Sequence, residues 1–289
     1  MSFLYHSISD LLRLADENKL PLWRVVLEKD CEDRQVTAEE SFEMMRSMYI
    51  AMREADAAYD GKLKSISKMV GGAGELLHEY NKSGKNIMGD YVGLAMEKAV
   101  KMGESNACMK RIVAAPTAGS CGVIPAVFLS YEELYKENED RMVEALYISA
   151  GVGEVIAENA SIAGAEGGCQ AEIGSAAAMA AAGLAYIQGG DNKAIVNAMT
   201  FAIKNMLGLA CDPVGGLVEV PCVKRNSAGA VNAIASAQLA LAGVESAIPA
   251  DEVIDAMRRI GGNLPTSLRE TGEGGLATTR TALESTKKS

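Results

Sequence analysis

Three cysteines stand where a thiolate has room to do chemistry. Cys169 follows Gly167-Gly168 in NASIAGAEGGCQAEIGSA (159–176), Cys211 precedes Asp212-Pro213, and Cys222 follows Pro221 in CDPVGGLVEVPC. The gaps hold 41 and 10 intervening residues. Spacing alone decides little, because a free cysteine is also a small buried hydrophobe. The flanking Gly, Pro and Asp break regular structure, which puts each thiol at a helix end or in a tight turn. Backbone N–H groups gather there and bond thiolates or the sulfurs of a cluster. On the residues alone two alternatives stand: a metal or cluster site with three thiolate ligands, or three cysteines packed in a core.

A second segment offers hydrogen-bond donors. Pro116-Thr117-Ala118-Gly119-Ser120 leads into the apolar run 123–129. A helix starting near Ser120 would present free N–H groups and its dipole to an anion. Gly119 lets the backbone come close, and Thr117 and Ser120 add hydroxyls. An ordinary N-cap is the plainer alternative. Arg225 follows the third cysteine closely; its guanidinium either clamps a carboxylate, neutralises charge at the cysteines or makes a surface salt bridge. Glu166, Glu172, Asp212 and Glu219 lie near the three cysteines and either orient neighbours or cap helices. The other cysteines are set aside as ligands: Cys31 reads as lying in an acidic loop, EKDCEDR, and Cys108 and Cys121 in apolar helical surroundings. The only histidines, His6 and His78, are remote from the cysteines in sequence, which disfavours a His-rich zinc site. His78 is expected to be a satisfied structural group rather than a base.

The elements that must position these groups are helices. Thr37 reads as an N-cap followed by acidic Glu39 and Glu40, opening a helix whose core stripe is Phe42, Met45, Met48 and Met52. Residues 61–93 are looser and glycine-broken, with a short helix expected over 75–80; helical spacing returns over 91–103, and a polar loop falls at 135–140. A quarter of residues 151–250 are alanine, the strongest helix former. Helices are expected over 175–187, 193–209, 228–242 and 251–260. Sustained β-branched alternation is almost absent. The expectation is an all-α, compact multi-helix fold with Ala/Gly-rich buried helices and no significant sheet. Residues 1–60 would be an N-terminal helical segment packed on a catalytic domain at 61–289, unless 1–289 is one continuous domain.

Composition removes several function classes. The chain has 289 residues, 48% apolar and 23% charged, enough for a large core and too apolar for intrinsic disorder. With 28 basic and 38 acidic side chains the net charge is −10, which argues against nucleic acid as a partner. Aromatics at 5% give no stacking platform. The first residues lack the basic start and apolar run of a secretory leader. The most apolar windows, 173–187 and 194–210, are too short or carry Lys204 and Asn205, so no membrane partner is expected. A cytoplasmic location follows as the expectation, with free thiols rather than disulfides.

Several long strings together resemble one family. RIVAAPTAGSCGVIPAV (111–127), SIAGAEGGCQAEIGSA (161–176), CDPVGGLVEVPCVKRN (211–226) and LRETGEGGLA (268–277) are similar, in this order, to signatures of the iron–sulfur-dependent L-serine dehydratases, alpha subunit of the two-subunit bacterial type. The likeness runs from about residue 60 to about 277. It implies a helical catalytic domain and a [4Fe–4S] cluster held by Cys169, Cys211 and Cys222, with one open iron acting as a Lewis acid on the β-hydroxyl of L-serine. Elimination then leaves aminoacrylate, which hydrolyses to pyruvate and ammonia without pyridoxal phosphate. The resemblance assigns substrate binding to Thr117, Gly119 and Ser120 and extends it to Asn159, Ser161 and Arg225. It implies a beta subunit as partner, where a candidate for the α-proton base lies, so the catalytic base is unknown on this chain. Single-chain members end in a cysteine that reaches the cluster; here the last cysteine is Cys222, so that tail does not transfer. An iron–sulfur L-cysteine desulfidase and a non-catalytic helical scaffold remain the rival functions.

Overall fold

The computed structural model describes residues 2–286, and among these it contains thirteen α-helices and no strand. The all-α expectation therefore holds. The only β-type pairing among the described residues is one isolated bridge, Cys211 with Arg269.

The N-terminal helices are α1 (Ile8–Asn18), α2 (Leu22–Arg34) and α3 (Ala38–Ala57). Thr37 caps α3 as expected, with a full capping box: its hydroxyl accepts the Glu40 N–H at 3.2 Å and Glu40 accepts the Thr37 N–H at 2.9 Å. The methionine stripe needs a correction. Met48 is 49% exposed, while Tyr49 is fully buried and takes its place beside Met52. A Phe42–Met45–Tyr49–Met52 stripe keeps the three-and-four spacing of one helix face better than a run through Met48. Cys31 also departs from expectation: it lies in α2, not in a loop. The charges of EKDCEDR support the helix, because Lys29–Asp33 and Arg34–Asp30 pair across one turn at 2.5 and 3.1 Å.

Next come α4 (Ala73–Lys82), α5 (Gly89–Ala107), α6 (Val123–Tyr135) and α7 (Glu139–Asn159). Both α4 and α5 outrun the segments expected at 75–80 and 91–103. The helix expected near Ser120 begins three residues later, at Val123, because 118–122 form turns. Cys121 sits in that turn, not in a helix, fully buried against Met102 and Ala55. After the short α8 (Gly164–Gly167) come α9 (Ser175–Ile187), α10 (Asn192–Lys204), α11 (Cys222–Leu241), α12 (Ala250–Asn263) and α13 (Arg280–Thr286). Two boundaries differ from the sequence reading. The helix expected to reach 209 stops at Lys204 and gives way to turns that carry the chain back to Cys211. The helix expected from 228 starts six residues earlier, at Cys222, directly after Pro221, a residue that favours a helix start.

Helix α9 is the centre of the fold. All of its side chains are buried, and α6, α7, α10 and α11 pack around it. Alanine and glycine make this possible: a Cβ on Gly183 would sit 2.3 Å from the Phe128 ring. Close packing at native density excludes even one extra methyl there. The largest cluster of buried side chains draws on α1, α2, α3 and α5 as well as α6, α7 and α9–α12. At its edge Asp251 of α12 accepts the Ile8 and Ser9 N–H groups at 2.8 and 3.1 Å, an acid placed on the α1 N-terminus. No helix among the described residues is long and apolar enough to cross a membrane.

Candidate cluster and substrate site

The three cysteines are brought together by irregular backbone at the ends of central helices. Gly168, at φ +75°, ends α8 in a conformation that other residues resist, and Cys169 follows directly. From Gln170 to Gly174 the chain makes one π-helical turn before entering α9. Such a turn carries one extra residue, and π-turns recur at functional sites. Cys211 is held from both sides by backbone: its N–H donates to Leu268 O at 2.9 Å and its C=O accepts from Glu270 N–H at 2.8 Å. Glu270 pairs there with φ +64°, a left-handed conformation that costs a non-glycine residue about 1 kcal/mol or more. Cys222 is the first residue of α11, where the helix dipole favours a thiolate.

All three thiols are buried, at 2%, 2% and 7% exposure for Cys169, Cys211 and Cys222, and none forms a disulfide. Burial is the main reason each resists ionisation. It pushes Cys169 up to about 11, against the charge and hydrogen bond of Arg225. It pushes Cys222 up to about 12, with Cys169 and Glu172 adding to the rise. Cys211 is raised furthest, by burial and then by Cys169, Glu172, Glu270 and Cys222. Each thiol is thus close enough to the others to feel their charge. Among the described residues no three His, Cys, Asp or Glu side chains close tightly enough around one point to hold a single metal ion. A cluster takes its thiolates from more widely spaced points than one ion does, and soft sulfur donors are what iron–sulfur clusters use.

Around the thiols the charged groups are specific. Arg225 is not a surface residue: its guanidinium donates to Ala210 O at 2.7 Å and Asp212 Oδ1 at 2.9 Å and reaches the Cys169 thiol. The Arg225–Asp212 pair is largely buried, with side-chain exposures of 19% and 8%. Asp212 in turn accepts the Leu276 N–H, which fastens the 268–277 segment to the site. Glu172, carried by the π-turn, lies between the two parts of the site. Its Oε1 accepts from Thr117 Oγ1 at 2.8 Å, and its Oε2 lies 3.9 Å from Cys211 Sγ. Burial raises its pKa, the Thr117 hydroxyl opposes this, and Glu270 adds to the rise.

Thr117, Gly119 and Ser120 therefore meet the cysteines through Glu172. The Ser120 and Thr117 hydroxyls are 3.1 Å apart, and a Cβ on Gly119 would stand 3.0 Å from Glu172 Oε1. Asn226 fixes this turn from α11, accepting the Gly122 N–H and donating to Gly119 O, both at 2.8 Å. One N–H expected to be free for an anion is thus already used. Asn159 and Ser161 stand apart. The Asn159 amide donates to His6 O and Val155 O at 2.7 and 2.9 Å. Ser161 donates to Glu166 at 2.7 Å and lines a separate cavity of about 190 Å³ with Gln170, Met257 and Arg258. Glu219 accepts from Ser65 and Ser67 and anchors the glycine-broken segment beside α11. His78 bonds the buried Glu97 at 2.8 Å, the structural role expected of it.

Sequence reasoning left Glu172 without a role and missed Gly164 and Glu270. A Cβ on Gly164 would lie 2.9 Å from Glu172 Oε2, 3.0 Å from Cys211 Sγ and 3.2 Å from Glu270 Oε2. The one signal for Glu270 was its place in LRETGEGGLA; nothing in the sequence marks a π-turn.

The sequence has clear relatives. The model of a family described as the serine dehydratase alpha chain matches residues 17–277. The chain is 44% identical over 285 residues to the probable L-serine dehydratase, alpha chain, of Bacillus subtilis, covering 99% of this chain and 95% of that one. It is 41% identical over 280 residues to the L-serine dehydratase, alpha chain, of Peptoniphilus asaccharolyticus, covering 96% of each. Against L-serine dehydratase 2 of Escherichia coli the identity is 34% over 282 residues, covering 94% of this chain but 61% of that protein.

Proposed function

The chain belongs to the serine dehydratase alpha chain family, and from that premise we propose that it deaminates L-serine to pyruvate and ammonia as the alpha subunit of an L-serine ammonia-lyase. The observation that carries this reading is the set of three buried, mutually interacting thiols of Cys169, Cys211 and Cys222 beside Arg225. Their chemistry fits a [4Fe–4S] cluster: three soft donors, no competing histidine and a guanidinium to offset negative charge. When bound, such a cluster supplies an open iron as a Lewis acid for the substrate's β-hydroxyl.

The rest of the work falls to this chain's own groups. Burial opposes ionisation of the three thiols, so a metal group bound there would have to displace their protons. Arg225 holds positive charge against Cys169 and is itself fixed by Asp212 and Ala210 O, so it needs little reorganisation. The Ser120 hydroxyl, in the turn braced by Asn226, is the donor for the substrate carboxylate, and Thr117, whose one O–H goes to Glu172, holds the Glu172 carboxylate beside it. Asn159 and Ser161 hydrogen-bond to His6, Val155 and Glu166 instead, and no part in this reading falls to them.

A second chain completes the enzyme in this proposal and brings the α-proton base. Support comes from the names of the Bacillus and Peptoniphilus relatives, each called an alpha chain, and from the longer Escherichia protein, of which this chain covers 61%. The test is a comparison of steady-state rates on L-serine and L-cysteine with the iron-loaded protein and its partner chain. Pyruvate formation from L-serine should have the higher kcat/KM, by at least about tenfold. Faster release of sulfide from L-cysteine would make the protein a desulfidase instead. No turnover of either, with no iron bound, would leave a helical scaffold.

A further inference from the structure

Glu172 is a carboxylate in an unusual place. It is only 9% exposed, and it lies at the meeting point of the Thr117–Ser120 turn, the start of α8 and the Cys211 thiol. Two glycines make room for it. A Cβ on Gly119 or on Gly164 would stand 3.0 or 2.9 Å from its oxygens, so backbone closes on the carboxylate from two sides. Another acid, Glu270, converges on the same face of Gly164: its Oε2 would lie 3.2 Å from a Cβ there, as Glu172 Oε2 would at 2.9 Å. Among the described residues no lysine, arginine or histidine forms an ion pair with either carboxylate; the Arg225 guanidinium is committed to Asp212, Ala210 O and Cys169, and that of Arg269 donates to Thr266. A buried carboxylate without a cation is expensive: it is held neutral by a proton until a cation, from a side chain or a ligand, matches its charge.

L-Serine carries such a charge. We propose that Glu172 is the anionic partner of the substrate's ammonium group, and therefore the residue that restricts this pocket to amino acids. The inference rests on the L-serine reading above and deepens it. The arrangement divides the recognition of one small zwitterion: the Ser120 hydroxyl faces its carboxylate, and Glu172, oriented by the one O–H of Thr117, faces its ammonium. The Cys211 thiol, 3.9 Å from Glu172 Oε2, puts the ammonium subsite next to the proposed cluster. A 2-hydroxy acid with the same carboxylate would leave Glu172 buried without a partner and be rejected for that reason.

The experiment uses two unreactive probes that differ only in the ammonium group, L-alanine and propionate. Equilibrium dialysis measures their binding to the iron-loaded protein with its partner chain, and iron and sulfide are counted in the same samples. The wild type should prefer L-alanine. Glu172→Gln should weaken L-alanine by about 30-fold and leave propionate nearly unchanged. Glu172→Asp, which keeps the charge, should retain most of the preference and serves as the test if the Gln protein loses its cluster. A loaded Glu172→Gln protein that still prefers L-alanine, or that loses both probes equally, overturns the inference, as does a loaded Glu172→Asp protein without the preference. A wild type that binds no iron and neither probe overturns the L-serine reading itself.

Discussion

Cys211→Ala is expected to lower L-serine-dependent pyruvate formation by at least about a thousandfold, because on the proposed reading it removes one of the three thiols holding a group that would supply several kcal/mol of Lewis-acid stabilisation. The fold should survive. The contacts that hold residue 211 in place are backbone ones, to Leu268 O and Glu270 N–H, and alanine keeps both. The lost sulfur is a small part of the core, worth about 1 kcal/mol. Activity and bound iron should therefore fall sharply, while the thermal midpoint should fall only to that of the wild type without its metal group. Cys31→Ala is the comparison. Cys31 lies half-buried on α2, away from the other thiols, and its loss should change neither iron content nor rate. Full activity in Cys211→Ala with its partner chain would remove this cysteine from the mechanism.

Gly164→Ala is expected to cost about a hundredfold in kcat/KM, through displacement rather than loss of any functional group. Alanine is a better helix former than glycine, and position 164 does not need a positive φ, so local backbone preference favours the change. The obstacle is space. The new methyl would sit 2.9 Å from Glu172 Oε2 and 3.0 Å from Cys211 Sγ, closer than a side-chain carbon normally approaches either atom. One of the two must move, and both are held, Glu172 by Thr117 and Cys211 by its bridge to Arg269. Overpacking of this kind also costs roughly 1–3 kcal/mol of stability. Gly262→Ala on α12 meets nothing within 4 Å and should be stable and fully active. Measuring kcat/KM and the thermal midpoint of both variants checks this; an unchanged kcat/KM in Gly164→Ala would mean that the 164 contact has no part in positioning the site.

The parts legible in the sequence were those with a local cause. The Thr37 cap and its Glu40 partner are a four-residue pattern, and α9 was marked by its alanine run and ended where expected, at Ile187. The cysteines stood out because Gly, Pro and Asp surround them. What was not legible depends on contacts between distant segments. The charges of EKDCEDR read as a loop because the one-turn ion pairs that make them a helix face are set by side-chain spacing along α2. The alanine run marks the middle of α11 but not its start, which lies at Cys222 after Pro221 and puts Arg225 on the helix. Glu172 gained its place from a π-turn and from glycines more than fifty residues away on one side and eight on the other, and neither leaves a pattern in the chain itself. Glu270 is held by pairing across to Cys211, a tertiary contact with no local signature.

In the proposed reading these three thiols hold an open-site iron–sulfur cluster. The most direct measurement is a count of iron and acid-labile sulfide per chain, on protein purified without oxygen and reconstituted with both, with Cys169→Ala prepared alongside. About four irons and four sulfides are expected in the wild type, with loss of both in the variant. No iron in the wild type, or equal content in Cys169→Ala, would contradict it.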